Sequence, residues 1–375
     1  MFGLRNWRIG SLFGIPLEIN VTWLLVFALV ATTLAFSYFP SSDVLPNRPT
    51  WLYILLGVIT AALFFASVVA HEFSHSLVAK AQGARIARIT LFIFGGVSEM
   101  EEEPSGPGRE FVMAIAGPGM SILLSAVFWV AFAALQVLHG PDVVSKVLEY
   151  LAAINLLLGI FNLLPGFPMD GGRVLRSILW AITGNLLRAT RWASRTGQTI
   201  GYLLVAAGIL GVVVGRSLDL VWFVFLGWFL ASLADSAYQQ QVVKTQLSQV
   251  PVSAVMSSPV VSAPGDLDLE TMVEKYFIGG HHSRYPIEQD GRLIGMLSLP
   301  QAKAVPRERW RSTKVADVAE RDLERLVVPS QEPLDQILDR LVGAPGAVLA
   351  ANDGELVGIV TRNDVVHALQ RSRRP

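Results

Sequence analysis

The chain has 375 residues, 52% of them hydrophobic and only 16% charged, against roughly 25% charged in an average soluble protein. Its basic and acidic residues cancel to a formal net charge of zero, so bulk charge makes no case for a nucleic-acid partner. Cysteine is absent, which excludes disulfides and thiolate metal ligands and leaves His, Asp, Glu or water for any metal. Charged residues are sparse up to about Asp235 and common after it, which points to a membrane-embedded first part and a soluble second part.

A spanning helix needs about 20 mainly apolar residues. Six segments qualify or nearly do: roughly 18–37, 51–80, 111–137, 147–165, 198–215 and 220–236. The first has no clear small-residue cleavage site before Ser41-Ser42 and reads as a retained span rather than a signal peptide. The last two look short and hinge on a break at Gly215-Arg216-Ser217, as one helical hairpin or a shallower pair. Arg5 and Arg8 precede the first span, Lys80, Arg85, Arg88 and Arg109 follow the second, and Arg173, Arg176, Arg188, Arg191 and Arg195 follow the fourth. The opposite loops carry only Arg48, Lys146 and Arg216. The positive-inside rule therefore predicts a multi-pass integral membrane protein with both termini in the cytosol.

The second span holds the densest chemistry. After the uncharged run Trp51 to Ala70 come His71-Glu72-Phe73-Ser74-His75. A charge inside lipid costs about 2.5–3.5 kcal/mol on insertion scales, so an ionisable cluster there needs a functional reason. Two histidines four apart share one helix face and can grip one metal ion, and a glutamate beside the first is the usual base of a zinc hydrolase. Between the second and third spans, Arg88 to Ser98 reads as a strand or hairpin. It is rich in β-branched and aromatic residues up to Phe94-Gly95-Gly96, and the acidic run Glu99, Glu101, Glu102, Glu103 follows it. Such a membrane-edge strand can pair with an extended substrate, with Gly95 and Gly96 as the contact; a plain turn is the alternative. Gly117 and Gly119 in the third span read as close helix packing.

The fourth span ends in Asn162-Leu163-Leu164-Pro165-Gly166-Phe167-Pro168-Met169-Asp170-Gly171-Gly172-Arg173. Its prolines and glycines break the helix on the same side of the membrane as the histidines, so Asp170 can point back at them. Catalytic zinc takes three protein ligands and leaves one position for water. His71, His75 and Asp170 supply the three, and Glu72 stays free to take a proton.

HEFSH at 71–75 together with NLLPGFPMDGG at 162–172 resembles the site-2 protease family of intramembrane zinc metalloproteases, over residues 1–236. The Phe-Gly-Gly segment and Ala116-Gly117-Pro118 also resemble family features. The resemblance implies one Zn2+ on His71, His75 and Asp170, a catalytic Glu72, and an Asn162 that contacts a substrate carbonyl or backbone; a helix-end cap is the other reading of Asn162. It also implies substrates that are membrane-spanning proteins, cut within or near the cytosolic half of the bilayer. Where members often carry an asparagine after the Gly-Pro motif, this chain has Gly119-Met120-Ser121, which leaves open any polar helper in the third span.

Residues 237–250 read as a Gln-rich linker helix. Two similar α/β units follow, about 251–305 and 312–372, each with an acidic-Gly turn (Asp290-Gly291, Asp353-Gly354) before its last strand. Together, 251–372 resembles a tandem cystathionine-β-synthase (CBS) pair, which implies regulation by ATP or AMP and a homodimer. Gly358-Ile359-Val360-Thr361-Arg362-Asn363-Asp364 matches that family's nucleotide ending, with Asp364 on ribose hydroxyls and Thr361 on a phosphate. The first unit has Ser298 and Gln301 there instead, so one site is expected rather than two. The fold expected is a polytopic α-helical membrane domain with a short membrane-edge β segment, then a soluble α/β tandem CBS module. The competing function is a CBS-gated transporter or channel, in which HEFSH has no natural role.

Overall fold

The computed structural model describes residues 6–92, 95–100, 104–215, 218–280, 282–342, 346–352 and 355–372. Arg5, Phe94, Glu101–Glu103, Arg216-Ser217 and Asp353-Gly354, all used in the sequence reading, lie outside them. The chain divides into two compact units, Met1–Tyr238 and Gln239–Pro375.

The first unit is built on helices α1 (Val21–Thr33, prolonged by a π turn Leu34–Tyr38), α2 (Thr50–Ala81), α3 (Pro107–Val137), α4 (Asp142–Asn162), α5 (Asp170–Thr183), α6 (Leu186–Gly215) and the greater part of α7 (Val221–Leu247), which ends beyond the division. Six of these seven helices, all but α5, are long and apolar enough to cross a membrane. α1 starts where Asn20 caps it by accepting from the Thr22 N–H. α2 has 32 residues, about 48 Å at 1.5 Å per residue, enough to cross the hydrocarbon core and emerge beyond it. Leu34, Phe39, Leu56 and Leu151 form the core where α1, α2 and α4 meet. Leu25, Val130 and Leu203 point outward, as side chains solvated by hydrocarbon should.

Two expectations change. The last two spans are not short: α6 has 30 residues and α7 has 27. The polar stretch before Gln198 concealed the first half of α6, but Thr190, Thr196 and Thr199 donate their hydroxyls to carbonyls one turn back and so sit inside the helix. The cationic stretch after Asp170 is likewise not a loop but α5, closed by Gly184 at φ 65°.

A four-stranded sheet, β1 (Asn6–Leu12), β2 (Ile15–Asn20), β3 (Ile86–Phe92) and β4 (Gly95–Met100), lies in the order β1-β2-β3-β4. The β3–β4 hairpin matches the expected strand segment. β1 and β2 were not anticipated; β2 pairs parallel with β3, a contact between residues some seventy apart that no local pattern encodes. Ile15 and Ile89 bury against Phe73, which seats the sheet on α2.

The second unit repeats one topology. β5 (Ala263–Pro264), β6 (Arg284–Gln289) and β7 (Arg292–Ser298) form one sheet, and β8 (Val327–Pro329), β9 (Ala347–Asn352) and β10 (Glu355–Thr361) form the other. In each, the first strand runs parallel to the second and the second antiparallel to the third. Each sheet has its own core, around Leu269, Tyr285 and Ile287 in the first and Ile337, Val348 and Val360 in the second.

Candidate functional site

His71 and His75 lie four apart on α2, 4% and 6% exposed. Asp170 is the first residue of α5. Its Oδ2 lies 3.0 Å from His71 Nε2 and 3.2 Å from His75 Nε2, and the two Nε2 atoms are 3.3 Å apart. These are the residues the sequence singled out as a metal set, and among the described residues their ligand atoms converge within 4.8 Å of one another. The Asp-Gly-Gly string explains the delivery of Asp170. A Cβ on Gly171 would meet the Leu163 and Leu164 carbonyl oxygens at 2.3 Å, and one on Gly172 would meet the Gly166 carbonyl carbon at 2.4 Å. Only bare backbone lets the first turn of α5 fold down onto the 163–169 loop.

The other ring nitrogens are occupied. His75 Nδ1 donates to the Met113 carbonyl at 2.7 Å, and His71 Nδ1 pairs with Ser121 Oγ at 2.9 Å. A neutral imidazole that donates through Nδ1 presents a lone pair at Nε2. His75 is fixed in that tautomer by its carbonyl partner, and with the His71 ring in the same one, three acceptor atoms are aimed at one point and suit a cation. Gly117 supplies the room: a Cβ there would fall 2.2 Å from His75 Nε2 and 2.6 Å from His71 Nε2. The donor set and this hollow fit a zinc ion. Gly117 is thus more than a packing glycine, while a Cβ on Gly119 would meet nothing within 4 Å, so the close-packing reading fails at that position.

Glu72 lies beside the converging atoms but is not one of them. A Cβ on Gly96 would meet its Cγ at 2.4 Å, so β4 runs directly against this side chain. One turn along α2, Ser76 Oγ and Ser98 Oγ sit 2.9 Å apart and hold β4 in place. Gly95, at φ 123°, makes the turn that starts the strand, and a Cβ there would touch nothing. The turn reading thus holds at Gly95, while Gly96 is the point where β4 comes closest to Glu72. β4 is terminal in its sheet. Asn162 ends α4, where its Nδ2 donates to the Leu158 carbonyl at 3.0 Å; it is not among the converging atoms.

In the second unit, a cavity of about 810 Å³ is lined by both repeats, including Arg284, Ser298, Gln301, Thr361, Arg362 and Asp364. The two repeats end their last strand alike. The Thr361 N–H and hydroxyl donate to Asp364 Oδ2 at 2.8 and 2.7 Å, and those of Ser298 donate to Gln301 Oε1 at 2.9 and 2.7 Å. The substitution of amide for acid keeps the turn and removes the charge. Asp364 is the one carboxylate among the described lining residues. Burial, and then the charge of Arg362, push the Arg284 guanidinium below its ordinary pKa.

Three groups at the first site had gone unread. Ser121 stands in the Gly-Pro segment where a polar helper had been left open, and its serine is that signal. The Met113 carbonyl carries no sequence signal at all. The buried pair of Glu110 and Arg176 was hidden because Arg176 reads as one more cytosolic cation.

Residues 59–208 match the model of peptidase family M50, and residues 252–300 and 315–371 each match that of the CBS domain. The chain is 36% identical over 377 residues to "Putative zinc metalloprotease sll0528" of Synechocystis sp., covering 98% of this chain and 96% of that one. It is 28% identical to zinc metalloprotease MJ0392 of Methanocaldococcus jannaschii, covering 96% and 95%. Among solved structures, the site-2 protease from Methanocaldococcus jannaschii aligns over 62% of this chain and 95% of its own, at 28% identity and a TM-score of 0.42. The chain belongs to peptidase family M50, the site-2 proteases, and is a membrane-embedded zinc metalloprotease that carries a C-terminal pair of CBS domains.

Proposed function

We propose that His71, His75 and Asp170 hold one zinc ion, and that the enzyme cleaves membrane-spanning proteins within or near the cytosolic half of the bilayer. The convergence of His71 Nε2, His75 Nε2 and Asp170 Oδ2 beside the hollow at Gly117 carries this reading. A zinc ion bound there supplies Lewis-acid polarisation of the scissile carbonyl and lowers the pKa of water. Ser121 and the Met113 carbonyl keep both imidazoles turned with Nε2 inward. The Glu72 carboxylate takes a proton from the attacking water and passes it to the leaving amine nitrogen. The second amide hydrogen of Asn162, not spent on Leu158, is the donor offered to the substrate carbonyl. A substrate helix shields its own peptide bonds, so the cleaved segment must first unwind. The terminal strand β4 then pairs with it as an added strand, and Gly96 brings that strand past Glu72. Both termini lie in the cytosol, the side from which water enters.

The repeat cavity takes an adenine nucleotide, ATP or AMP. Asp364 Oδ1, left over once Oδ2 serves Thr361, accepts from ribose hydroxyls, and the Arg284 and Arg362 cations face phosphate. The CBS pair also forms a homodimer, which sizing in detergent tests. The deciding experiment is metal analysis of wild type and of the Glu72→Gln and His71→Ala variants, each assayed on a tagged single-span substrate. Wild type should hold one zinc and cut; Glu72→Gln should hold zinc and cut far more slowly; His71→Ala should lose both. Zinc-free, folded wild type would overturn the assignment.

A further inference from the structure

Glu110 lies in the first turn of α3 and is 1% exposed; Arg176 lies on α5 and is 8% exposed. Arg176 Nε donates to Glu110 Oε1 at 2.7 Å, Nη2 contacts the same oxygen, and Arg173 Nε stands 4.0 Å from it. The Arg176 guanidinium also covers the Phe167 ring, 5.3 Å from its centre. A buried ion pair is a poor source of stability, because desolvation of both charges offsets their attraction; its best-attested value is to fix one arrangement over others.

The place of this pair shows which arrangement. Met113, whose carbonyl holds His75, follows Glu110 by one turn of α3. Asp170 precedes Arg176 on α5 by less than two turns, and Phe167 lies in the loop that delivers Asp170. Helix turns and side-chain contacts therefore close a ring: His75, Met113, Glu110, Arg176, Asp170 and back to His75. We infer that Glu110 and Arg176 are positioning residues that set the separation between Asp170 and His75, so that tight retention of the metal depends on a fork of charge remote from it. This rests on the zinc assignment above. Neither side chain touches the converging atoms, so the pair acts through α3 and α5 rather than on the reaction.

The test is the rate at which zinc passes from purified enzyme to a chelator, measured on the folded fraction, together with kcat and KM on the single-span substrate. Glu110→Gln and Arg176→Lys should each release zinc about 10–100-fold faster, the range seen when outer partners of metal ligands are removed. kcat should fall with KM nearly unchanged, and Arg176→Lys should be the milder of the two because it keeps the charge and loses the fork. The double variant Glu110→Leu, Arg176→Leu removes both charges together and guards against a single variant that does not fold. Fast zinc release from the folded double variant supports the inference. Wild-type release and kcat from any folded variant of the pair overturn it. Wild type that holds no zinc overturns it too, but by defeating the assignment beneath it, which the same metal analysis reveals.

Discussion

The histidine site and the repeat cavity are made in opposite ways. In the membrane unit, His71 and His75 come from one helix and Asp170 from the start of another, about one hundred residues later. Its rings and buried charges are held by protein partners: Ser121 on His71, Met113 on His75, Glu110 on Arg176. In the second unit one short turn is written twice, and the cavity lies between the copies, with four of its described lining residues arginine or histidine. The first is a closed constellation, in which each unpaired group would be costly without water to satisfy it. The second is an open one, in which water can stand in for a missing ligand. Substitutions should accordingly act sharply in the first and gradually in the second.

Gly117→Ala strains that contrast most. Its methyl would occupy the hollow beside both Nε2 atoms, so zinc and cleavage should be lost together while Gly119→Ala, with open space at its Cβ, leaves both intact. Zinc stoichiometry on the folded variants measures this, and a zinc-loaded, active Gly117→Ala enzyme would show that the pocket is not closed. Glu72→Gln should cost about 10²–10⁴-fold in kcat, the usual worth of a general base, with zinc unchanged; single-turnover cleavage reads it. Ser121→Ala should speed zinc release about 10–100-fold, and chelator competition reads that. On the open side, Asp364→Ala should weaken nucleotide binding by about 1.5–3 kcal/mol, the worth of a hydrogen bond to a charged group, whereas Gln301→Ala should change it little. Calorimetry on the full chain separates the two, and equal losses would mean that both repeats hold the ligand alike.

The difference also governs what the sequence could disclose. HEFSH and the repeated strand endings are local patterns whose meaning follows from helical spacing or internal copying, so they could be read directly. The break at Pro165 to Pro168 was legible because proline and glycine act on their own backbone. α5 and the first half of α6 were hidden because arginine, serine and threonine look like loop residues until their side chains find helix carbonyls or a buried carboxylate. β1 was hidden because it buries no face, all seven of its residues being exposed, and β2 because its parallel pairing with β3 depends on tertiary contact. The Met113 carbonyl was beyond reach for a simpler reason: every residue has one, and only the fold selects it.

His71, Glu72 and His75 occupy little more than one turn of α2. Any shift of that helix moves both imidazoles and the neighbouring carboxylate as one body and leaves their mutual geometry unchanged. The adjustable coordinate of the centre is therefore Asp170, which rides on another helix behind a proline-containing loop. Close packing lies behind that coordinate: a Gly197 Cβ would strike the Phe167 carbonyl oxygen, so the 163–169 loop that leads to Asp170 rests bare backbone on α6 and leaves no room for a side chain between them.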